Sequence, residues 1–207
     1  MPRLSDETRA QRRRHILTSA WGCFSENGFH ATSMDEVIAA TGMSSSAVYR
    51  YFRSKEELID ATADEGITRV QDIFVRLLAD RPTPSPAQTM KTLVDELRSR
   101  TTHPDYDLSK LALQTWAEAM RKPSLRDRTR ELYAGTHAHI TELATRWRDE
   151  GHLPPDADPH ATASAVFTLM HGLIVCHHLV ADVPMDELGS GLAALGSAFT
   201  QLEQPLL

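Results

Sequence analysis

The chain has little of the chemistry that builds extracellular or metal-dependent proteins. Only two of its 207 residues are cysteines, Cys23 and Cys176, far apart and with no CxxC or Cys/His ladder around either. A disulfide framework and a zinc module are therefore excluded. No stretch reaches the roughly 18 consecutive apolar residues of a membrane-spanning helix. The charged opening MPRLSDETRAQRRRH contains no apolar signal core. The expectation is a cytoplasmic protein with no membrane partner. Catalytic signatures are missing as well: there is no HExxH, no GxSxG, no P-loop, and no cysteine beside an evident base. The stretch GSGLAA at 189–194 fits a loose dinucleotide pattern, but it lies in a helical stripe and comes after no strand, and too little chain remains beyond it for a βαβ unit.

No cofactor and no metal are expected. The ten histidines include no pair at the i,i+4 spacing of helical metal ligands. His137 and His139 fall on different helical faces, His177 and His178 are adjacent, and His171 and His178 share a face two turns apart, which alone makes no site.

Charge is unevenly distributed. The formal net charge is −6, yet residues 1–55 hold eight Lys/Arg against five acids, a balance of +3, and the remainder carries −9. Because fields decay over a Debye length of about 8–10 Å, an acidic chain still presents a basic face to a polyanion. The negative total does not exclude DNA.

Hydrophobic periodicity is helical wherever it is clear, and no run alternates with turn signals in the way a sheet requires. The fold class expected is all-α. Ile16, Leu17, Ala20, Trp21 and Phe24 mark a first helix, stopped by Asn27-Gly28. Ser33 with Glu36 forms an SxxE box opening a short second helix that ends before Gly42. Ser44 is placed to cap a third, and Ser54 with Glu57 opens a longer fourth, ended by RPTPSPAQ. Further helices are expected over residues 87–101, 108–121, 125–150, 159–181 and 185–203. The stretch 161–181 is apolar almost all round. The last helix sets Leu188, Leu192, Leu195 and Phe199 on one stripe with small residues between, suited to close helix packing. Two such helices from each of two subunits would make a four-helix homodimer interface; otherwise they complete the monomer's own core.

Residues 34–52 supply the parts of a helix-turn-helix: a short support helix, a tight turn at Gly42, and a second helix whose first residues reach base edges. Val37, Met43 and Val48 fill the space between the helices and Phe52 anchors the end of the second. That leaves Ser45, Ser46, Tyr49, Arg50 and Tyr51 for the outer face. Small hydroxyl residues allow close approach to a groove, and Arg50 is suited to guanine or phosphate.

The segment GFHATSMDEVIAATGMSSSAVYRYFRSKEELI resembles the N-terminal signature of the tetracycline-repressor (TetR) family of bacterial transcriptional regulators, over about residues 10–60. Gly28-Phe29, Thr32, Gly42, Ser44, Tyr49, Phe52, Lys55 and Leu58 sit in register with it. Ile38 and Thr41 stand where alanine is usual, Met43 where valine is common, and Ser46 where glycine is frequent. The resemblance implies a DNA-binding domain at 1–55 and an all-α, effector-binding and dimerising domain at 56–207. It implies phosphate contacts from Thr32 or Ser33, Tyr49, Tyr51 and Lys55, with Ser45, Ser46 and Arg50 facing the groove. Arg9, Arg12, Arg13 and Arg14 form either an arm reaching the DNA or a solvated helix face.

The same resemblance implies a repressor of a double-stranded palindromic operator, released by a small-molecule effector, in the bacterial cytoplasm at the nucleoid. Candidate lining residues of an effector pocket are Phe74, Leu97, Trp116, Met120, Tyr133, His137, Phe167, Met170 and His171. Trp116, Tyr133 and His137 stand out because each both packs and hydrogen-bonds. The rival class is an all-α enzyme or ligand-binding module using that pocket.

Overall fold

In a computed structural model of the chain, the described residues are 5–101, 103–181, 184, 187–192 and 194, with the side chain at 100 excepted. Eight helices run through them: α1 (Asp6–Ala31), α2 (Met34–Thr41), α3 (Ser45–Tyr49), α4 (Lys55–Ala79), α5 (Pro86–Thr101), α6 (Leu108–Arg121), α7 (Pro123–Asp149) and α8 (Pro159–Leu179). Residues 187–192 are helical as well. No strand occurs among the described residues. The chain divides into two compact units, Met1–Phe167 and Thr168–Leu207.

The ends of these helices reflect local chemistry. Gly28 interrupts α1 with φ 84 and ψ 165, so the Asn27-Gly28 stop is real, although one further short turn intervenes before Thr32 closes the element. At α2 the box is complete: Ser33 Oγ accepts from the Glu36 amide, and the Glu36 carboxylate accepts from the Ser33 amide at 2.6 Å. At α4 Ser54 accepts from the Glu57 amide, but the Glu57 carboxylate reaches back to the Arg53 amide at 2.7 Å, one residue further than the box expected there. Ser44 holds the N-cap position of α3 without capping it; its hydroxyl lies 3.3 Å from that of Ser46. α7 begins at Pro123, two residues earlier than expected, because a proline in the first turn forfeits no intrahelical bond.

One apolar core joins α1, α2 and α3 to the later helices. Ile16, Leu17, Ala20, Trp21, Phe24 and Phe29 of α1 cluster with Val37, Ile38, Val48 and Phe52, and the same cluster takes in Leu58, Ile59, Ala61 and Ala63 of α4, Leu111 and Ala119 of α6, and Leu125 of α7. The Phe24 and Phe29 rings meet edge to face at 5.0 Å. Beyond this, α4 packs along α7. Ile73, Phe74 and Leu77 are buried on α4, and Ile140, Leu143, Ala144 and Trp147 on α7. Polar ties stitch the pair: Gln71 Nε2 donates to the Leu132 carbonyl at 2.6 Å, Lys122 pairs with Asp60 at 2.8 Å, and Arg128 grips Asp64 with both carboxylate oxygens engaged.

α8 is long and apolar enough, by length and composition alone, to cross a bilayer. Its sequence nevertheless carries His160, Thr162, Ser164, Thr168, His171, His177 and His178, so its apolarity is interrupted at nearly every turn.

Phe74, expected beside an effector, is completely buried, as a core residue is. Phe74→Ala is expected to cost about 3–5 kcal/mol, read as a lowered denaturation midpoint with an unchanged helical spectrum; a loss under about 1 kcal/mol would mean that the side chain borders an open cavity after all.

Candidate nucleic-acid interface

The interface is built on the α2–α3 turn. Gly42 takes φ 65, a left-handed conformation that glycine adopts without steric cost. Thr41, a departure from the family's alanine, tightens the turn: its hydroxyl donates to the Ile38 carbonyl at 2.7 Å and accepts from the Met43 amide at 3.1 Å. From α1, His15 Nε2 lies 2.8 Å from the Thr41 carbonyl, which can only accept, so that nitrogen carries the proton. Sequence reasoning assigned no role to His15, and only the packing of α1 across α2 reveals it.

With Val48 and Phe52 fully buried, the opposite face of α3 is set by elimination. Ser45, Ser46, Tyr49 and Arg50 are exposed, and Tyr51 is half-buried against the core. Arg9, Arg12, Arg13 and Arg14 are exposed too, on a regular helix that starts at Asp6, so they form a helix face rather than an extended arm. Arg13 stacks over the Phe52 ring at 4.9 Å, and Arg9 lies 3.7 Å from Asp6.

Two of the expected phosphate contacts have other work. Thr32 is completely buried, and its hydroxyl donates to the Gly28 carbonyl at 2.8 Å and lies 3.2 Å from that of Cys23. Its side chain therefore cannot meet a phosphate and instead holds the joint between α1 and α2. Lys55 is half-buried, with Nζ donating to the carbonyls of His30 and Thr32 at 3.0 and 2.8 Å. An ammonium has three N–H donors, so two are engaged inside the fold. Ser33 is exposed, but its hydroxyl also contacts the Glu36 carboxylate at 2.8 Å.

The candidate effector residues divide. Trp116, Tyr133, His137 and Phe167 gather: Trp116 Nε1 donates to the Tyr133 hydroxyl at 2.6 Å, the Tyr133 and Phe167 rings meet edge to face at 5.4 Å, and His137 lies 6.1 Å from Phe167. Burial pushes the Tyr133 phenol up from its ordinary pKa. Ser164 donates to the His160 carbonyl, so its oxygen accepts from His137 Nε2 at 3.0 Å. Burial, aided by neighbouring His160, pulls His137 down from its ordinary value. The sequence offered no signal for Ser164 or His160, which reach His137 only through helix packing. Leu97 is half-buried on α5. Met120 is 78 % exposed, so it lines no enclosed pocket, because its face of α6 looks outward. Met170 and His171 are partly buried on α8 in the second unit. Of the expected interface stripe, Leu188 and Leu192 are helical, with Leu192 39 % exposed, while Leu195 and Phe199 lie outside the described residues. No group of three or more metal-ligating side chains occurs among the described residues.

A buried scaffold presenting an exposed short second helix, with an arginine at its C-cap, has the form of a helix-turn-helix unit of the kind that binds DNA. Comparison with known proteins gives the family. The model of the bacterial regulatory proteins of the tetR family matches residues 16–62, and that of the C-terminal part of BetI-type transcriptional repressors matches residues 86–193. The transcriptional regulator UidR of Escherichia coli K12 is 30% identical over 187 residues, 88% of this chain and 87% of its own length. Among solved structures, Salmonella enterica GusR superposes with a TM-score of 0.67 at 24% identity, covering 96% of this chain and 97% of its own. A TetR regulator from Haloarcula marismortui reaches 0.70 at 21%, covering 91% and 96%. The chain belongs to the TetR family of transcriptional regulators, and it is a regulator rather than an enzyme. Members of this family generally act as dimers with small-molecule effectors.

Ser33→Ala removes a cap that opens the reading unit and should cost about 0.5–2 kcal/mol in a denaturant melt. The Glu36 carboxyl in that cap is held below the usual carboxylate range, first by the Ser33 amide, then by the Ser33 hydroxyl. A depressed folded pKa stabilises above the unfolded value and is lost as pH falls through the folded one. The wild type should therefore lose stability on acidification more steeply than Glu36→Gln; parallel pH profiles would show that the carboxylate makes no such contribution.

Proposed function

We propose that the chain is a repressor that binds a palindromic operator as a homodimer and leaves it when a small molecule occupies the helical body. Residues 1–55 act as the DNA-binding domain and 56–207 as the effector-binding and dimerising domain, in the cytoplasm at the nucleoid. The observation that carries this reading is the exposure of Ser45, Ser46 and Tyr49 on α3 and of Arg50 at its C-cap, with Val48 wholly buried. Arg50 and the two small serines read base edges, while Ser33, Tyr49, Tyr51 and the remaining donor of Lys55 fix the register on phosphates.

Effector release requires the two α3 helices of a dimer to lose their match to successive major grooves about 34 Å apart. A 100-fold loss of affinity needs a coupling of about 2.7 kcal/mol, near the usual allosteric range. The cluster of Trp116, Tyr133, His137 and Phe167 supports an effector site on α6 and α7, because its aromatic faces and neutral hydrogen-bonding groups suit an amphipathic molecule. α4, which packs on α1, α6 and α7, is the lever between that cluster and the reading helices.

Duplexes selected from a random pool test the DNA reading. Arg50→Ala should weaken binding to the selected operator by about 1–3 kcal/mol or flatten its base preference, with dimerisation intact. Affinity should also fall linearly with the logarithm of salt concentration, since several cations displace counterions. Unchanged binding across an operator panel would remove Arg50 from the readers, and a flat salt response would point to a protein partner instead.

A further inference from the structure

Where α1 breaks, its backbone is joined to α6 by a single side chain. Gly28, at φ 84 and ψ 165, turns the Phe29 amide out of the helical ladder, and that amide donates to Gln114 Oε1 at 2.8 Å. On the other side of the break, the Phe24 carbonyl accepts from Gln114 Nε2 at 2.9 Å. One amide therefore ties the last full turn before the break to the first residue after it. The same stretch of α6 is fastened on both flanks. Asp107, its N-cap, donates its own amide to Ser25 Oγ at 2.9 Å, and Glu118 lies 3.1 Å from His30 Nε2. Two residues beyond Gln114 on α6, Trp116 reaches Tyr133 of α7.

We propose that Gln114 is a positioning residue for DNA reading: its amide sets the angle at which the Gly28 break delivers Thr32, Ser33 and hence α2 and α3 to the duplex. Through it, a shift of α6 at the Trp116–Tyr133 pair reaches the reading helices. This rests on the operator-binding reading above. The chemistry is specific to an amide of this length. A carboxylate accepts from Phe29 but turns a lone pair on the Phe24 carbonyl, a lysine has no acceptor for Phe29, a methionine of similar shape offers neither bond of useful strength, and an asparagine is one methylene short. Because Phe24 and Phe29 are both anchored in the core, losing the clasp frees the angle of the joint without removing apolar contacts.

The test uses the full-length wild type, Gln114→Met and Gln114→Glu with duplexes recovered by selection on the wild type, and with versions of them in which one base pair is added between half-sites. Both variants should keep the wild-type dimer mass, thermal midpoint within a few degrees and binding to random-sequence DNA. Both should lose about tenfold or more in affinity for the selected duplex, together with the preference for correct over expanded spacing. The Phe29 amide should exchange faster in Gln114→Met, which removes its acceptor, and not in Gln114→Glu, which keeps it. A role in packing alone would lower the thermal midpoint and leave the spacing preference intact in the folded fraction, and that result overturns the proposal, as do wild-type values throughout. If Gln114→Met does not fold, Gln114→Glu, which keeps the Phe29 acceptor, decides by the same spacing preference. Failure of the wild type to select any duplex sinks the operator reading itself, whereas selection by the wild type with unaltered variants sinks only the clasp.

Discussion

The constraint on which the reading unit depends is the termination of α1. A helix that stops leaves backbone donors and acceptors without partners, and in a half-buried place each must be met from elsewhere. Here they are met by the cap residue Thr32 and by side chains of two other helices. The Thr32 hydroxyl takes the Gly28 carbonyl, Lys55 takes the carbonyls of His30 and Thr32, and Gln114 takes the Phe29 amide. The orphaned groups of one helix end have thereby become the points at which α1, α4 and α6 are fastened together. Glycine is required at 28 because φ 84 is a conformation that a side chain resists, not because space is short: a Cβ there would sit 3.7 Å from the nearest Gln114 atom.

That fastening explains why the apolar core does not respect a boundary at residue 55. The residues beneath α2 and α3 share one cluster with the start of α4, the middle of α6 and Leu125 of α7. A reading head with its own small core would be free to swivel on its connection. One that shares its core moves only when the neighbouring helices move, and discrete repacking of such a core is how small displacements become two-state changes. The small hydroxyl and amide ties add direction to this coupling, because unlike apolar contacts they are lost over a few tenths of an ångström and a few tens of degrees.

What was legible in the sequence was whatever depends on neighbours along the chain. The Ser33–Glu36 box, the Gly42 turn, the Gly28 stop and the buried stripe of α1 arise from short-range periodicity and capping chemistry, and they are where expected. What was not legible depends on contacts across the chain. The family resemblance implied a phosphate contact from Thr32, yet its burial commits its hydroxyl to internal carbonyls. Ser44 has the residue type of a cap but turns to Ser46. Met120 and Phe74 carried the same apolar label and ended at opposite extremes of exposure, because helical spacing alone does not say which apolar residue meets a neighbouring helix. Gln114, ninety residues from Phe24, gave no local signal of any kind.

The charge asymmetry acquires a physical meaning once the arginines are placed. Arg9, Arg12, Arg13 and Arg14 lie exposed on the first turns of α1, and Arg50 and Arg53 are exposed around α3, so the positive balance of residues 1–55 is displayed rather than internally neutralised. The cost of that display is self-repulsion, lessened where Arg13 rests on the Phe52 ring and Arg9 leans on Asp6. The acidic remainder repels a polyanion at long range, but beyond a Debye length of about 8–10 Å that repulsion is screened, whereas an arginine touching phosphate is not. On the operator-binding reading, a chain of −6 overall therefore meets a duplex through its basic N-terminal residues rather than through its acidic remainder.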